Sequence, residues 1–356
     1  MVKAKSFGLS EWFQIAREHT LLSSSRAHVL IQNELKKYQR LEKLNQEIGL
    51  PIERLTYFNS IDFLQNSKNV QSFFHNASSK KFFIKVNPLL EFQKTLFIQR
   101  KHDISEKECK ALVQGLQPNS LCYEISIREY EEPKWCGIFS INRDEIRMEL
   151  TQENLMFLTQ GLNHSQSGLF ECCYNFKTQR WLSPTIESQK IAEKVVEQVR
   201  LRSHNSKKSF EYAQGYFEFL YYGKNKFAFL DYNPFWKLPK TIQQSSVHKS
   251  NFLIRGLPAC SGQITGTVRI VLSPKDFSKI KKGDILVTTM TTPEFIPVFK
   301  KIAGIVTDTG GILCHAAIVS RELKIPCIVG TGKATQILKD GQKIELNATK
   351  GTVKIV

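Results

Sequence analysis

Short apolar runs rich in β-branched and aromatic residues alternate with turn residues along most of the chain. This pattern is typical of strands that pack on one face. In the first two thirds of the chain we predict strands at 81–86, 123–130, 135–142, 169–176, 216–221 and 227–231. The chain should therefore be rich in β-sheet.

Helices are predicted where apolar residues recur at helical spacing. One is expected over 10–20 and a longer one over 27–49, which Gly49 and Pro51 would end. Within 188–202, Ile191, Val195, Val196 and Val199 would line one helical face. Together the elements predict a mixed α/β fold of the α+β kind.

Near the C-terminus, a strand, a glycine pair and a helix follow one another closely. Ala303–Thr307 predicts a short strand, Gly310 and Gly311 a turn, and 315–324 a helix that stops before Pro326. The helix would begin on His315, where unpaired backbone N–H groups and the helix dipole favour a phosphate. The same field disfavours a protonated imidazole, which would keep His315 neutral and nucleophilic. A purely structural histidine at a capped turn is the alternative.

The residues around this turn match a longer pattern. Gly310-Gly311-x-x-x-His315-Ala-Ala-Ile-Val-x-Arg321-Glu-Leu-x-Ile-Pro-Cys-Ile-Val-Gly-Thr-Gly resembles the mobile phosphohistidine domain of the PEP-utilising enzymes. That family includes phosphoenolpyruvate synthase, pyruvate phosphate dikinase, rifampicin phosphotransferase and the glutamine kinases. The likeness extends upstream through three further segments, at 261–268, 283–288 and 291–295.

The resemblance covers residues 252–356 and implies a swivelling β/β/α domain. It also implies that His315 carries a phosphoryl group, and we assign phosphate binding to Gly310, Gly311 and Arg321. The chain departs from the family at the pair before the histidine, which here is Leu313-Cys314 rather than a pair beginning with threonine. Regulation through a hydroxyl at that position is therefore not expected, whereas phosphoryl transfer is.

Composition narrows the class of protein. At 356 residues, with 41% hydrophobic and 23% charged side chains, the chain suits two globular domains. We expect a cytoplasmic protein, because no apolar run approaches membrane length and no secretory segment opens the chain. The eight cysteines show no metal-binding spacing and should be reduced thiols.

The net charge of +17 raises the question of nucleic-acid binding. The excess is spread over both halves, no Lys/Arg block exceeds two residues, and no motif that reads DNA or RNA occurs. We therefore expect no nucleic-acid partner and no membrane. A basic surface also suits a protein that handles ATP and phosphorylated intermediates.

A polar stretch separates the two predicted domains. Residues 1–236 would form a helical start and a nucleotide-binding domain, 237–251 a linker, and 252–356 the phosphohistidine domain. Fifteen extended residues reach roughly 50 Å, enough for one domain to move between two sites. An ordinary loop is the alternative.

The front domain should hold the phosphoryl donor. An apolar strand ends in Asp231-x-Asn233-Pro234, which places Asp231 and Asn233 on one side, and Glu218 lies on the preceding strand. Oxygen ligands so placed suit Mg²⁺ at nucleotide phosphates. This arrangement resembles the C-terminal part of an ATP-grasp domain. Alternatively, Asn-Pro merely initiates a turn.

Weaker likenesses complete the nucleotide site. Lys85 resembles the strand lysine that reaches the phosphates, and Arg128 and Glu129 resemble the hinge that holds adenine through its backbone. A solvated strand lysine is the alternative for Lys85. The sequence lacks a glycine-rich phosphate loop, so the front domain is expected to be a shortened or altered ATP-grasp-like domain.

These parts predict an ATP-dependent phosphotransferase with ATP and Mg²⁺ as cofactors. By resemblance to the dikinases, His315 would take the β-phosphoryl group and leave AMP and phosphate. The chain has no room for the barrel of about 250 residues that would hold PEP or pyruvate, so a small hydroxyl or amide compound is the expected acceptor. A partner protein supplying the acceptor site comes second. A phosphohistidine carrier with an inactive nucleotide domain is the alternative function.

Overall fold

The computed structural model describes residues 36–89, 99–116, 122–153, 168–201, 210–234, 254–312 and 314–356, with single positions at 21, 23, 25, 155 and 158. The predicted helix at 10–20, the predicted linker at 237–251 and Leu313 lie outside these residues. Among the helices of the described part, none is long and apolar enough to cross a membrane. The chain divides into two compact units, one of which contains Glu53–Pro133 and the other Lys134–Val356.

The unit that contains Glu53–Pro133 is an antiparallel sheet covered on one face by three short helices. Its strands have the spatial order β1-β4-β2-β3. In chain order the elements are β1 (Thr56–Asn59), α2 (Ser60–Leu64), α3 (Lys68–Asn76), β2 (Phe82–Pro88), β3 (Gln99–Ile104), α4 (Glu106–Gln114) and β4 (Tyr123–Glu129), with α1 preceding them in the other unit. Phe63, Phe74 and Phe82 pack edge to face in the core between the sheet and the helices. The opposite face carries Lys85.

The second unit begins with α1 (Lys37–Ile48) and a six-stranded antiparallel sheet of order β10-β9-β5-β6-β7-β8. The strands are β5 (Trp135–Ile141), β6 (Glu145–Thr151), β7 (Phe170–Asn175), β8 (Arg180–Leu182), β9 (Gly215–Gly223) and β10 (Lys226–Asn233), with α5 (Ile186–Gln198) between β8 and β9. Helices α1 and α5 pack on one face, over a core that includes Phe139, Phe217 and Phe229. We call this face the core face and its reverse the open face.

Helix α1 ends as the sequence predicts. Leu41, Leu44 and Ile48 recur at helical spacing and are buried. Gly49 follows with a φ of 75°, a left-handed conformation that glycine adopts without a steric penalty. Its backbone N–H donates to the Asn45 carbonyl, which satisfies one of the last helical acceptors.

A β-bulge in β10 decides which residues reach the open face. Phe229 pairs with Phe219, yet Asp231 pairs with Glu218, so two residues of β10 oppose one residue of β9. Without the extra residue, Asp231 would share the core face with Phe229, because residues two apart point the same way. The bulge instead turns the Asp231 carboxylate to the face of Glu218.

The C-terminal part is built on an eight-stranded mixed sheet of order β11-β18-β17-β13-β14-β15-β16-β12. Strands β13 to β16 run parallel, and the remaining pairs are antiparallel. The elements are β11 (Ile254–Arg255), β12 (Leu257–Cys260), β13 (Gln263–Ile270), β14 (Asp284–Thr288), β15 (Ile302–Thr307), α6 (His315–Leu323), β16 (Cys327–Val329), α7 (Ala334–Ile337), β17 (Lys343–Asn347) and β18 (Thr352–Ile355), with 3-10 turns at Pro274–Lys279 and Pro293–Val298.

The mixed α/β fold class is confirmed, and the six strands predicted in the first two thirds of the chain are present. The predicted helices over 27–49, 188–202 and 315–324 are present in their described parts as α1, α5 and α6. In that part of the chain, strands β1, β3, β6 and β8 were not predicted. All eight cysteines lie in the described part of the chain as free thiols.

Candidate active site

His315 is the first residue of α6, at the end of a turn that leaves β15. Gly310 has a φ of 102°, and a methyl group there would come within 2.7 Å of Cys314 Sγ, so this position favours glycine. Cys314 is extended at the N-cap, and its carbonyl accepts the first helical hydrogen bond from Ile318 N at 3.0 Å. We call residues 310–315 the histidine turn.

The His315 side chain is buried, with 8% of its surface exposed. Burial lowers its pKa to about 4, against a smaller upward contribution from a hydrogen bond with Thr291. The imidazole is therefore neutral at physiological pH, as the sequence predicted, although burial rather than the helix dipole is the main cause. Its Nδ1 atom lies 3.2 Å from Thr291 Oγ1.

Arg321 donates hydrogen bonds to two backbone carbonyls, one of them in the histidine turn. One guanidinium nitrogen donates to the Ile312 carbonyl at 2.8 Å and to the Ala259 carbonyl at 3.2 Å. Burial lowers the pKa of Arg321. In this arrangement the guanidinium fixes the backbone of the turn; the direct phosphate contact assigned to it from the sequence stays a prediction.

An acidic row crosses the open face of the six-stranded sheet. Asp231 pairs with Glu218, Glu218 with Ile138, and Ile138 with Glu149, on four neighbouring strands. Residues directly opposite one another in a sheet share a face. Asn233 follows Asp231 by two positions and lies on the same face. The structure thus brings together the three residues predicted to bind metal and adds Glu149 to their row.

Asp231 and Glu149 of this row are buried, Glu218 is half-buried, and the row has polar neighbours. Asp231 is 3% exposed and Asn233 4%. Tyr216 donates its hydroxyl to Glu218 Oε1 at 2.8 Å, and burial together with the charges of Glu218 and Asp231 raises the pKa of Tyr216 well above its usual range. On the other side, Lys37 Nζ lies 3.6 Å from Asp231 Oδ2. The row therefore already attracts one cationic group.

The donor set fits a hard divalent cation by its chemistry. Glu218 and Asp231 supply carboxylate oxygens and Asn233 an amide oxygen, the ligand types that Mg²⁺ prefers. Among the residues that the structure describes, no three His, Cys, Asp or Glu side chains form a metal-binding group. A metal here would thus depend on Asn233 and on non-protein ligands such as nucleotide phosphates.

The histidine turn is seated on this open face. Ile312 joins a buried cluster with Ile138, Leu158 and Tyr216, and Leu257 of β12 packs against the same cluster. A methyl group on Gly311 would overlap the carboxylate of Glu149. His315 therefore begins its helix beside the sheet that carries Glu218 and Asp231.

The remaining predicted residues belong to the unit that contains Glu53–Pro133. Lys85 and Arg128 share the sheet face opposite the core, where Arg128 lies over the Phe83 ring at 5.1 Å and pairs with Glu53 Oε1 at 2.6 Å. Glu129 points to the other face, and its carboxylate accepts hydrogen bonds from Ser78 and Ser79. The three residues are thus not brought to one face.

Several residues of these sites were missed from the sequence. Glu149 lies in β6, whose alternation Glu-Ile-Arg-Met-Glu-Leu-Thr is a readable strand signal. Thr291 lies in the segment 291–295 that resembles the family, but the sequence predicted no role for its side chain. On the face of Lys85, Arg100 pairs with Lys85, and the His102 ring lies 4.8 Å from Phe83. Burial, with the charges of Arg128 and Arg100, lowers the pKa of His102 to about 4.

The part of the chain that surrounds the histidine turn has known relatives. Residues 280–351 match the PEP-utilising enzyme mobile domain. A probable phosphoenolpyruvate synthase of Methanothermobacter thermautotrophicus is 45% identical over 124 residues, which are 35% of this chain and 18% of that protein. A rifampicin phosphotransferase of Bacillus cereus is 41% identical over 103 residues, 29% of this chain and 12% of that protein.

Solved structures align with a larger share of the chain than these two relatives do. A phosphoribosylamine–glycine ligase structure from Thermotoga maritima aligns with 55% of this chain and 46% of its own, at 15% identity and a TM-score of 0.29. A likeness of that size carries no argument. The resemblance of the C-terminal part to the PEP-utilising enzymes is confirmed, and this chain matches less than a fifth of the length of these two relatives.

Proposed function

We propose that the protein is an ATP-dependent phosphotransferase that forms a phosphohistidine on His315 and passes the phosphoryl group to a small-molecule acceptor. The observation that carries this proposal is the seating of a neutral, buried histidine beside a sheet face with Glu218, Asp231 and Asn233. A nucleophile and a set of oxygen ligands for nucleotide phosphates are the two parts that a phosphotransfer site requires.

The transfer uses Nε2 of His315. When Nδ1 carries the ring proton and donates it to Thr291 Oγ1, the lone pair lies on Nε2. That lone pair forms a bond to the β-phosphorus, and the bond from this phosphorus to the oxygen that bridges it to the α-phosphorus breaks, leaving its electrons on AMP. Water then cleaves the β–γ bond, so that the γ-phosphoryl group leaves as inorganic phosphate and the β-phosphoryl group stays on His315. Thr291 and the backbone of the turn orient the ring, so that positioning supplies much of the rate.

The roles assigned to the nucleotide-binding residues from the sequence are kept as proposals. Glu218, Asp231 and Asn233 would hold Mg²⁺, which when bound neutralises charge on the transferred phosphate. Lys85 and Arg128 supply positive charge for the phosphates, and the backbone near Glu129 is proposed to hold adenine. The likeness to ATP-grasp domains noted from the sequence supports these assignments. We retain the proposed boundaries, with the nucleotide domain at 1–236, the linker at 237–251 and the histidine domain at 252–356.

The acceptor is proposed to be a small molecule with a hydroxyl or amide group. The similarity to a rifampicin phosphotransferase supports this choice. A partner protein that supplies the acceptor site comes second. The matched segment is 18% of the probable phosphoenolpyruvate synthase in the comparison, and PEP synthesis by this chain alone is not proposed. We propose the cytoplasm as the location.

A phosphohistidine carrier with an inactive nucleotide domain is a second candidate, and one observation favours it. The Lys37 ammonium lies 3.6 Å from the Asp231 carboxylate, and it supplies a positive charge that a bound metal ion would otherwise supply. In a carrier, Lys37 would replace the metal, and a second protein would phosphorylate His315.

Labelling with radioactive ATP and Mg²⁺ separates the two candidates. We expect acid-labile, alkali-stable label on the wild-type chain, and no label on His315→Ala or Asp231→Asn. Asp144→Asn, an exposed aspartate in the turn between β5 and β6, is the matched control and should label normally. Label that survives in Asp231→Asn, or that requires a second protein, would favour the carrier. No label from ATP under any of these conditions would overturn the kinase proposal.

A further inference from the structure

Glu149 is a buried acid that neither the sequence pattern nor the comparisons assign. It lies on β6 between Ile138 of β5 and Glu171 of β7, and only 3% of its surface is exposed. A buried carboxylate is costly unless its surroundings compensate its charge. Its position on the open face, in the row of Glu218 and Asp231, raises the question of what it faces.

The carboxylate of Glu149 faces the histidine turn. A methyl group on Gly311 would overlap both carboxylate oxygens, so the acid lies directly against the backbone of this glycine. The two glycines of the turn are therefore required for different reasons. Gly310 has a left-handed φ of 102°, whereas Gly311 has an ordinary φ and lacks a side chain where Glu149 approaches.

The charges near Glu149 suit a negative group at this place. The turn leads directly into the N-terminus of α6, where backbone N–H groups and the helix dipole attract an anion. Glu149 also interacts electrostatically with Arg321, which donates a hydrogen bond to the Ile312 carbonyl. Opposite charges thus lie against two adjacent residues of one backbone segment, Glu149 against Gly311 and Arg321 against Ile312.

From this geometry we propose that Glu149 is a positioning residue that seats the histidine turn on the nucleotide-binding sheet through its contact with Gly311. This inference rests on the proposed function for its catalytic consequence, but the contact itself does not. Glu149 acts on the backbone of the turn, and so affects where His315 is presented rather than how ATP is bound.

A double-mutant cycle tests the contact from both sides. Glu149→Ala removes the carboxylate, and Gly311→Ala pushes it away with a methyl group. Each variant should lower the single-turnover rate of His315 phosphorylation by roughly tenfold to a hundredfold, because small displacements of a nucleophile are costly. The double variant should be no slower than the slower single variant, since both remove one contact.

A second readout separates positioning from nucleotide or metal binding. The dissociation constant for ATP with Mg²⁺ should change less than about twofold in both single variants. Glu171→Gln, an exposed acid on β7 that is assigned to neither the metal site nor the nucleotide site, is the matched control and should behave as wild type in rate and affinity. If the rate losses of the two single variants multiply in the double variant, or if ATP binds more weakly to Glu149→Ala, the proposal is overturned.

Hydrogen exchange tests the contact without any activity. In the nucleotide-free protein, amides of the histidine turn should exchange about tenfold faster in Glu149→Ala and Gly311→Ala than in wild type or Glu171→Gln. If ATP never labels the wild type but exchange responds as stated, the contact stands and the proposed function fails. Unchanged exchange in both variants would overturn the contact itself.

Discussion

At the scale of single residues, the buried environment of His315 determines the protonation state of its imidazole. Burial holds its pKa near 4, so the ring is in its nucleophilic form over the whole physiological range. With the ring proton on Nδ1 beside Thr291, the lone pair lies on Nε2, which is itself a buried atom. The sequence predicted the neutral ring from the helix start alone. It could not predict the burial, because burial depends on tertiary contacts, of which the one with Thr291 is an example.

The lowered pKa of His315 predicts its behaviour on titration. Ring resonances of His315, assigned by their loss in His315→Gln, should stay constant from pH 8 to about 5.5 and move only as the pH approaches 4. An unfolded histidine takes up its proton near pH 6.5, so the stabilisation that the fold derives from this neutral ring is present above pH 6.5 and is lost as the pH falls towards 4. An NMR midpoint near 6.5 would contradict the buried, neutral ring.

Two adjacent threonines provide a matched pair of variants. Thr291→Val removes the hydroxyl beside His315 Nδ1, and we expect the rate of His315 phosphorylation to fall about tenfold, as for the loss of one orienting hydrogen bond. Thr292 Oγ1 is buried and has no hydrogen-bond partner among the described residues, so Thr292→Val should leave the rate within about twofold. Thr291→Ser should keep most of the wild-type rate. Equal losses in both valine variants would show a packing effect instead.

At the scale of elements, the strands and helices followed from periodicity, but the site depends on irregularities. The sequence correctly placed Asp231 and Asn233 on one side of their strand. It could not show that a bulge turns this side away from the aromatic core, because a bulge depends on the register with β9. Strand β6 was missed because the positions between its apolar residues are charged, although Ile146, Met148 and Leu150 alternate clearly. Glu149 was missed with it.

The turn before α6 can be tested through its backbone. Gly310→Ala places a Cβ at a φ of 102° and against Cys314, so it should destabilise the protein by about 1–3 kcal/mol. Gly341→Ala, at a φ of 81° with no atom within 4 Å, measures the backbone strain alone and should cost less. Chemical denaturation of both variants compares the costs. A larger loss in Gly341→Ala would contradict the close packing of the histidine turn.

Helix α1 supplies a cation to the acidic row, which gives a prediction for metal binding. Lys37 and a divalent cation would compete for Asp231, so Lys37→Gln should raise the apparent affinity for Mg²⁺ several-fold. Stability measured as a function of Mg²⁺ concentration reports this affinity. Lys43→Gln, on the same helix and paired only with Glu47 over the described contacts, should have the wild-type affinity. A lower affinity in Lys37→Gln would mean that Lys37 helps the metal site rather than competing with it.

At the scale of the whole molecule, the histidine turn of the C-terminal sheet contacts the six-stranded sheet, and the sequence had assigned these two sheets to different domains. The motif near His315 correctly predicted the resemblance to the mobile domain of the PEP-utilising enzymes, which residues 280–351 match. The sequence could not show that the histidine turn sits on the open face of the six-stranded sheet, because Ile138, Tyr216 and Glu149 are far away along the chain. The predicted boundaries and the roles of Lys85, Arg128 and Glu129 stay predictions.

The most direct test of the account is the position of the label after reaction with ATP. Wild-type protein is incubated separately with [β-³²P]ATP and [γ-³²P]ATP in the presence of Mg²⁺, and the labelled peptide is sequenced at alkaline pH. The account predicts one phosphoryl group per chain, on His315 and from the β-position, and none in His315→Gln. Stable label on any other residue, or undiminished label in His315→Gln, would contradict it.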